Sequence, residues 1–279
     1  MYLKIFTACI SLLCVAPTVA PVVSPYAGDL EAHTLRAFQR YATLTEERVL
    51  AQAGPTGSFL YLDSYPEGER VQVLADLRRG QMYMEPLETV DAGGKEIEID
   101  DGLIHHWLGA VFIPDVGLDE TLELIQDYDR HSEIYSPEVA DARIIRRDGD
   151  LFEVFMRFRK KKVITVVMDT VHDVAYVTPS VGRTYSISRT SSVREVQEPG
   201  TPQERALPDG EGSGFLWRIN SYWRFLERDG GTYIECESIS LTRTIPFMLR
   251  WLVAPFVNDV PREQLADLLQ TTREALLND

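Results

Sequence analysis

Hydrophobic and polar positions alternate most regularly over residues 213–227, a stretch dense in aromatic side chains. The alternation breaks at Arg228, Asp229, Gly230 and Gly231, then resumes over 232–241. Period-two alternation on both sides of a glycine pair predicts two long strands folded into a hairpin. Beyond Pro246 the apolar spacing lengthens to the helical period and holds to the end of the chain, predicting one long C-terminal helix. A hairpin of this length feeding a single helix suggests a sheet curled around that helix. Such a sheet tends to enclose a cavity, and an apolar cavity is a binding site by default.

Upstream, Asp29 is placed to cap a helix reaching Ala53, with Leu35, Phe38, Ala42, Val49 and Leu50 near one face. Gly54, Pro55, Thr56 and Gly57 stop it. Residues 59–62, 71–77 and 82–87 read as short strands separated by turns, with a loop at 91–94. The pattern sharpens from Leu103: a strand over 105–113 ended by Pro114, a helix over 118–128 entered through Asp119, and a helical turn near 130–135. Strands are expected at 138–147, 151–159, 162–177 and 182–197. Phe152, Val154, Met156 and Phe158 alternate with Glu153, Arg157 and Arg159, giving one dry face and one wet one. Residues 198–214 carry Pro, Gly, Glu and Asp without periodicity and read as a mobile loop. The order is strand, two short helices, six strands, long helix. No βαβ alternation occurs, so the sheet should be antiparallel and the class α+β.

The chain has 279 residues, enough for one large domain or two small ones. Its formal charge of -15 excludes nucleic acid as a partner, because phosphates demand clustered Lys and Arg. The basic run at 157–162 reads as a solvated turn between strands. Residues 1–27 read as a secretory signal, with Lys4 as the positive end, an apolar core over 5–16 and small residues at Ala20 and Ala27. That core is short for a transmembrane helix, and an uncleaved anchor is the alternative. The expected address is therefore periplasmic or extracellular. Cys9 and Cys14 fall within the signal, leaving Cys236 without an intramolecular disulfide partner after processing; it reads as a small buried apolar residue. The organisation expected is a signal at 1–27, an N-terminal extension at 28–101 that packs on the main domain, and a ligand-binding domain at 102–279.

The strand at 105–114, the helix at 118–128 and the passage DRHSEIYSPEV at 129–139 together resemble the START-like superfamily, also called SRPBCC. That superfamily includes polyketide cyclases and coenzyme Q-binding proteins. The hairpin through Asp229, Gly230, Gly231 and Thr232 fits the same resemblance, as does LTRTIP at 241–246 before the last helix. The resemblance covers 103–278 and is one of pattern, carried by no single motif. It implies a helix-grip fold, a curved antiparallel sheet wrapped around the C-terminal helix with a pocket for hydrophobic ligands. The N-terminal helical extension and the loop at 198–214 depart from that pattern, and either is positioned to cover the entrance.

Side-chain alternation puts Phe215, Trp217, Ile219, Ser221, Trp223 and Phe225 on one face of the hairpin, and Arg218, Asn220, Tyr222 and Arg224 on the other. The expected ligand-binding set is Trp107, Met156, Trp217, Ile219, Ser221, Trp223, Phe225, Trp251 and Leu252. Ser221 is the small polar member, able to offer a hydroxyl to a ligand's polar end. The run at 247–256 is apolar enough to form a lid or touch a membrane surface. His105 and His106 adjoin on a strand and so point to opposite faces, which argues against a shared metal ion. No metal-ligand spacing, nucleophile elbow or phosphate loop is present, so no metal, cofactor or catalytic set is expected. Glu235 and Glu237 share a face whose default is solvent; Arg183 and Arg189 read as surface charges. The function expected first is non-catalytic binding or transport of a hydrophobic small molecule such as a lipid, isoprenoid or polyketide-like compound. The alternatives are a cyclase- or hydrolase-type enzyme with His106 or Asp169 as general base, and an envelope interaction module with a filled core.

Overall fold

The alternating stretches become the strands of one antiparallel sheet. The computed structural model describes residues 29–54, 57–161, 165–244 and 260–278. The expected signal at 1–27, the apolar run at 247–256 and the candidate ligand residues Trp251 and Leu252 lie outside these residues. The strands are β1 (Tyr83–Pro86), β2 (Gly102–Pro114), β3 (Val139–Asp148), β4 (Leu151–Lys161), β5 (Thr165–Ser180), β6 (Arg183–Gln197), β7 (Arg205–Ala206), β8 (Arg218–Arg228) and β9 (Gly231–Arg243). They pair in the order β1-β2-β9-β8-β6-β5-β4-β3, with β7 added to β6. The helices are α1 (Ala32–Ala53), α2 (Glu67–Arg78), α3 (Leu118–Gln126), α4 (His131–Ile134) and α5 (Val260–Asn278).

The β8–β9 hairpin closes because Asp229 and Gly230 both take left-handed backbone angles, φ 61° and 79°, with Arg228 opposite Gly231. That two-residue geometry matches the twist of the flanking strands. The sheet curves around α5. Leu265 and Leu269 of α5 lie against Gly109 of β2, while Leu268 packs against the cluster of Tyr135, Val139 and Ala142 that Met156 and Phe158 of β4 also join, near the opposite end of the strand order. One helix reaches both ends only if the sheet wraps it. Glycine at 109 is required by this contact: a Cβ there would come within 2.4 Å of the Leu269 side chain. The arrangement is the helix-grip α+β fold, with α1 as an added N-terminal helix.

Each face of the sheet carries its own core. The inner face, with Val111, Ile113, Phe225, Ile234 and Val154, packs on α3 and α5. The outer face, with Leu108, Phe112, Tyr222, Tyr233 and Leu241, packs on α1 and α2 through Phe38, Tyr41, Val49 and Leu77. The extension therefore shares a core with the sheet.

Several elements differ from their sequence reading. Residues 71–77 lie within helix α2, and residues 61–64 form a short 3-10 turn. The valines at 71 and 73 mimic strand alternation, yet Glu67 and Glu69 in the first turn and Arg78 in the last favour a helix electrostatically. The α1 helix starts at Ala32 with no side-chain cap, so Asp29 does not cap it. The basic run begins inside β4: Arg157 makes paired hydrogen bonds to Asp169 (2.6 and 2.9 Å). The loop at 198–214 is tied down by polar groups. Asp209 accepts from the Val193 N–H at 2.7 Å, and Glu195 accepts from the N–H and hydroxyl of Ser213 at 2.7 and 2.9 Å.

Candidate functional site

Between the inner face and α5 lies a cavity of about 240 Å³. Its apolar wall comes from Ile125, Met156, Phe158, Met168, Leu265 and Leu268, and its polar wall from His172, Ser186, Ser188, Ser221, Ser238 and Thr242. At one edge Lys160 pairs with Glu138 (3.6 Å) and Asp267 (3.2 Å), both partly exposed, so this edge faces solvent. The volume lies just below the ~300–1,000 Å³ of drug-sized sites, which suits a single ring system or one short chain.

Of the residues expected to bind ligand, Met156, Ile219, Ser221 and Trp223 line this cavity. Trp217 does not. The regular strand begins only at Arg218, the chain enters it over Gly214 at φ 72°, and Trp217 turns into the outer core instead. Alternation extends only as far as the strand does. Phe225 keeps the inner face but is fully buried among Val111, Ile113 and Ile234, stacked on Trp223 at 5.9 Å. It fills solid core beyond the hollow. Trp107 is half-buried on the inner face beside Arg262, whose guanidinium carbon sits 5.9 Å from the ring centre, and it does not line the cavity.

His172 is a site residue the sequence reading passed over. The bulge between β5 and β6 falls on β6, where Ser191 is the extra residue, so β5 keeps its alternation and His172 sits buried in the cavity wall. Its Nε2 lies 2.8 Å from Thr170 Oγ1 and its Nδ1 3.4 Å from Ser188 Oγ. Burial lowers its pKa to about 4, so the ring is neutral near pH 7. Its neighbours Val166, Met168, Val174 and Tyr176 on the same strand face also line the cavity. That alternation was the available signal. Deeper in, the hydroxyls of Tyr128 and Tyr176 bond at 2.8 Å, and that of Tyr135 reaches Thr272 at 3.0 Å.

The two general-base candidates lie elsewhere. Asp169 faces outward against Arg157. His106 points to the outer face, beneath α1, while His105 points inward to Thr242 at 3.0 Å. Glu235 and Glu237 also face outward, but neither meets solvent, because the N-terminal extension covers them. Glu235 accepts the backbone N–H groups of Tyr61 (2.7 Å) and Leu62 (3.1 Å). Glu237 accepts from His106 Nε2 (2.7 Å), Arg48 and Arg224 (3.5 Å). The chain continues from Thr89 N–H to the Tyr41 hydroxyl (2.8 Å) and on to His106 Nδ1 (2.8 Å). Burial pushes the Glu235 carboxyl up to about 7 despite the Arg224 charge. Burial also opposes ionisation of Glu237. There the His106 hydrogen bond and the charges of Arg224 and Arg48 win, holding its pKa at about 2. This buried network clamps the extension to the sheet, and among the described residues none of its members lines the cavity.

No family model and no curated protein matches the chain. Solved structures that align with it include the STAR-related lipid transfer protein from Xanthomonas axonopodis, at 14% identity, covering 68% of this chain and 98% of that one, with a TM-score of 0.45. A START superfamily protein from Mycobacterium smegmatis aligns at 10% identity, covering 62% and 97%, with a TM-score of 0.40. The Zhui aromatase/cyclase from Streptomyces sp. R1128 aligns at 12% identity, covering 62% and 94%, with a TM-score of 0.38.

Proposed function

We propose that the protein binds a hydrophobic small molecule in the cavity between sheet and α5, as a carrier or sensor without catalysis. The observation that carries this reading is the hollow itself: a space of about 240 Å³, walled mainly by apolar side chains, in a position where a filled core would be the stable alternative. Burying ~200 Å² of ligand apolar surface there contributes roughly 5 kcal/mol before the costs of association. The catalytic alternative loses support, because His106 and Asp169 face away from the cavity. Native mass spectrometry of protein purified from its own host tests the proposal. A bound apolar compound released on denaturation supports it. Protein that is always empty, and that ignores added hydrophobic probes, overturns it.

We propose export as well, from the charged start, apolar core and small residues of 1–27. The N-terminal sequence of the mature protein from an envelope fraction checks this, and a retained Met1 in soluble cytoplasm contradicts it.

A further inference from the structure

Three serines form a straight row across the polar wall of the cavity. Ser188 of β6 stands opposite Ser221 of β8, which stands opposite Ser238 of β9. Neighbouring strands lie about 4.8 Å apart, so the row spans about 10 Å of the wall. Among the described residues, the hydroxyl of neither Ser221 nor Ser238 hydrogen-bonds to another protein group, and both residues border the cavity.

Ser188 is held differently. The carbonyl oxygen of Met156 can only accept, so Thr170 Oγ1, 3.0 Å away, donates its single proton there. Thr170 has only lone pairs left for His172, so Nε2 of the ring carries the hydrogen. A neutral imidazole has one N–H, which leaves Nδ1 bare. Ser188 Oγ, 3.4 Å from that nitrogen, therefore points its own proton at His172. What Ser188 presents to the cavity is a pair of lone pairs and no proton. Charge matters too. Among the described lining residues Lys160 is the one cation with a fixed charge, and Glu138 and Asp267 already hold it. An anionic headgroup would meet no free counter-charge there.

We infer that the cavity takes an uncharged apolar molecule bearing a hydroxyl group, which donates to Ser188, with further oxygen atoms aligned along Ser221 and Ser238. The inference rests on the ligand-binding reading above and adds the chemical class of ligand. The apolar skeleton lies against Met156, Met168 and Leu268, opposite the serines. A ligand of the same shape that cannot donate a proton loses the hydrogen bond and leaves two acceptors facing each other.

Isothermal titration at pH 7 with three naphthalenes of similar size tests it: 2-naphthol, a neutral donor; 2-methoxynaphthalene, a neutral acceptor; and 2-naphthoate, an anion. The naphthol should bind about tenfold more tightly than the ether, the worth of one good hydrogen bond, and the naphthoate should bind more weakly than the naphthol. Ser188→Ala should bring naphthol and ether to equal affinity, whereas Ser221→Ala should retain most of the difference. The ratio is internal to each variant and so is independent of modest changes in stability. If Ser188→Ala does not fold, Ser188→Cys, with its weak sulfur acceptor, should shrink the ratio in its place. Equal binding of naphthol and ether by the unmodified protein, a ratio that survives at position 188, or a preference for naphthoate overturns the inference while leaving the cavity reading intact. Failure of all three probes to bind overturns both.

Discussion

Replacing Glu237 by Gln probes the clamp between the N-terminal extension and the sheet. The side chain keeps its shape but loses the charge that Arg48, Arg224 and His106 converge on. In the folded protein burial would raise the carboxyl's pKa, but the His106 hydrogen bond and the Arg224 and Arg48 charges hold it at about 2, against an ordinary value of 4.5. That depression corresponds to about 3 kcal/mol in favour of the folded state at pH 7. Removing one partner of a buried ion pair costs about 3–5 kcal/mol by a separate route, which agrees. Arg224 makes the cost steep: it is fully buried, and among the described residues its Nε and Nη1 have no hydrogen-bond partner, Nη1 having only the Glu235 carboxylate at 3.6 Å. The pH dependence has a definite sign. A carboxyl with a depressed folded pKa contributes stability above its unfolded value and loses it as pH falls toward the folded one. The gap between the parent protein and Glu237→Gln should therefore be about 3 kcal/mol at pH 7 and should narrow to about half of that or less at pH 3. Urea unfolding at both pH values measures this, with equal slopes confirming that the two unfold alike. A gap below 1 kcal/mol at pH 7, or one that fails to narrow in acid, would refute the assignment of Glu237 as the buried anion of the clamp.

Other consequences follow from named contacts. Gly109→Ala should cost about 1–3 kcal/mol by pushing α5 off β2, read as a lower urea midpoint, and no loss would mean that the helix is not gripped there. His105, His131 and His172 each have pKa values lowered by burial to about 4, so each contributes stability above about 6.5 that is lost as pH falls toward 4. The urea midpoint of the parent protein should accordingly decline from pH 6.5 downward, and a flat midpoint to pH 4.5 would contradict neutral buried histidines. Binding of an uncharged probe such as naphthalene should be constant between pH 6 and 8, because His172 does not titrate there; a step near pH 6.5 would show a solvated ring.

The hairpin, β2 and the strands from Val139 to Gln197 were legible because their alternation is long, and the turn at Asp229 and Gly230 fixes the fold-back. The extension was less so. In α2 the two valines suggest strand spacing locally, and only the charges at its ends speak for a helix. The burial of Glu235 and Glu237 could not be read at all from the sequence, since their cover comes from Arg48, Tyr61 and Leu62, distant in the chain. Four cavity-wall residues of the expected set followed from alternation: Met156, Ile219, Ser221 and Trp223. Trp217 failed because the strand had not yet begun, and Phe225 because facing inward does not separate a pocket wall from packed core.

The account depends most on the hollow between sheet and α5 being open to a ligand. Titration of naphthalene into the parent protein and into Ser221→Trp, whose indole would occupy that space, tests this most directly. The expected result is one saturable site in the parent protein and none in the variant, with the variant's urea midpoint unchanged or higher. Equal binding by both proteins, or none by the parent, would contradict it.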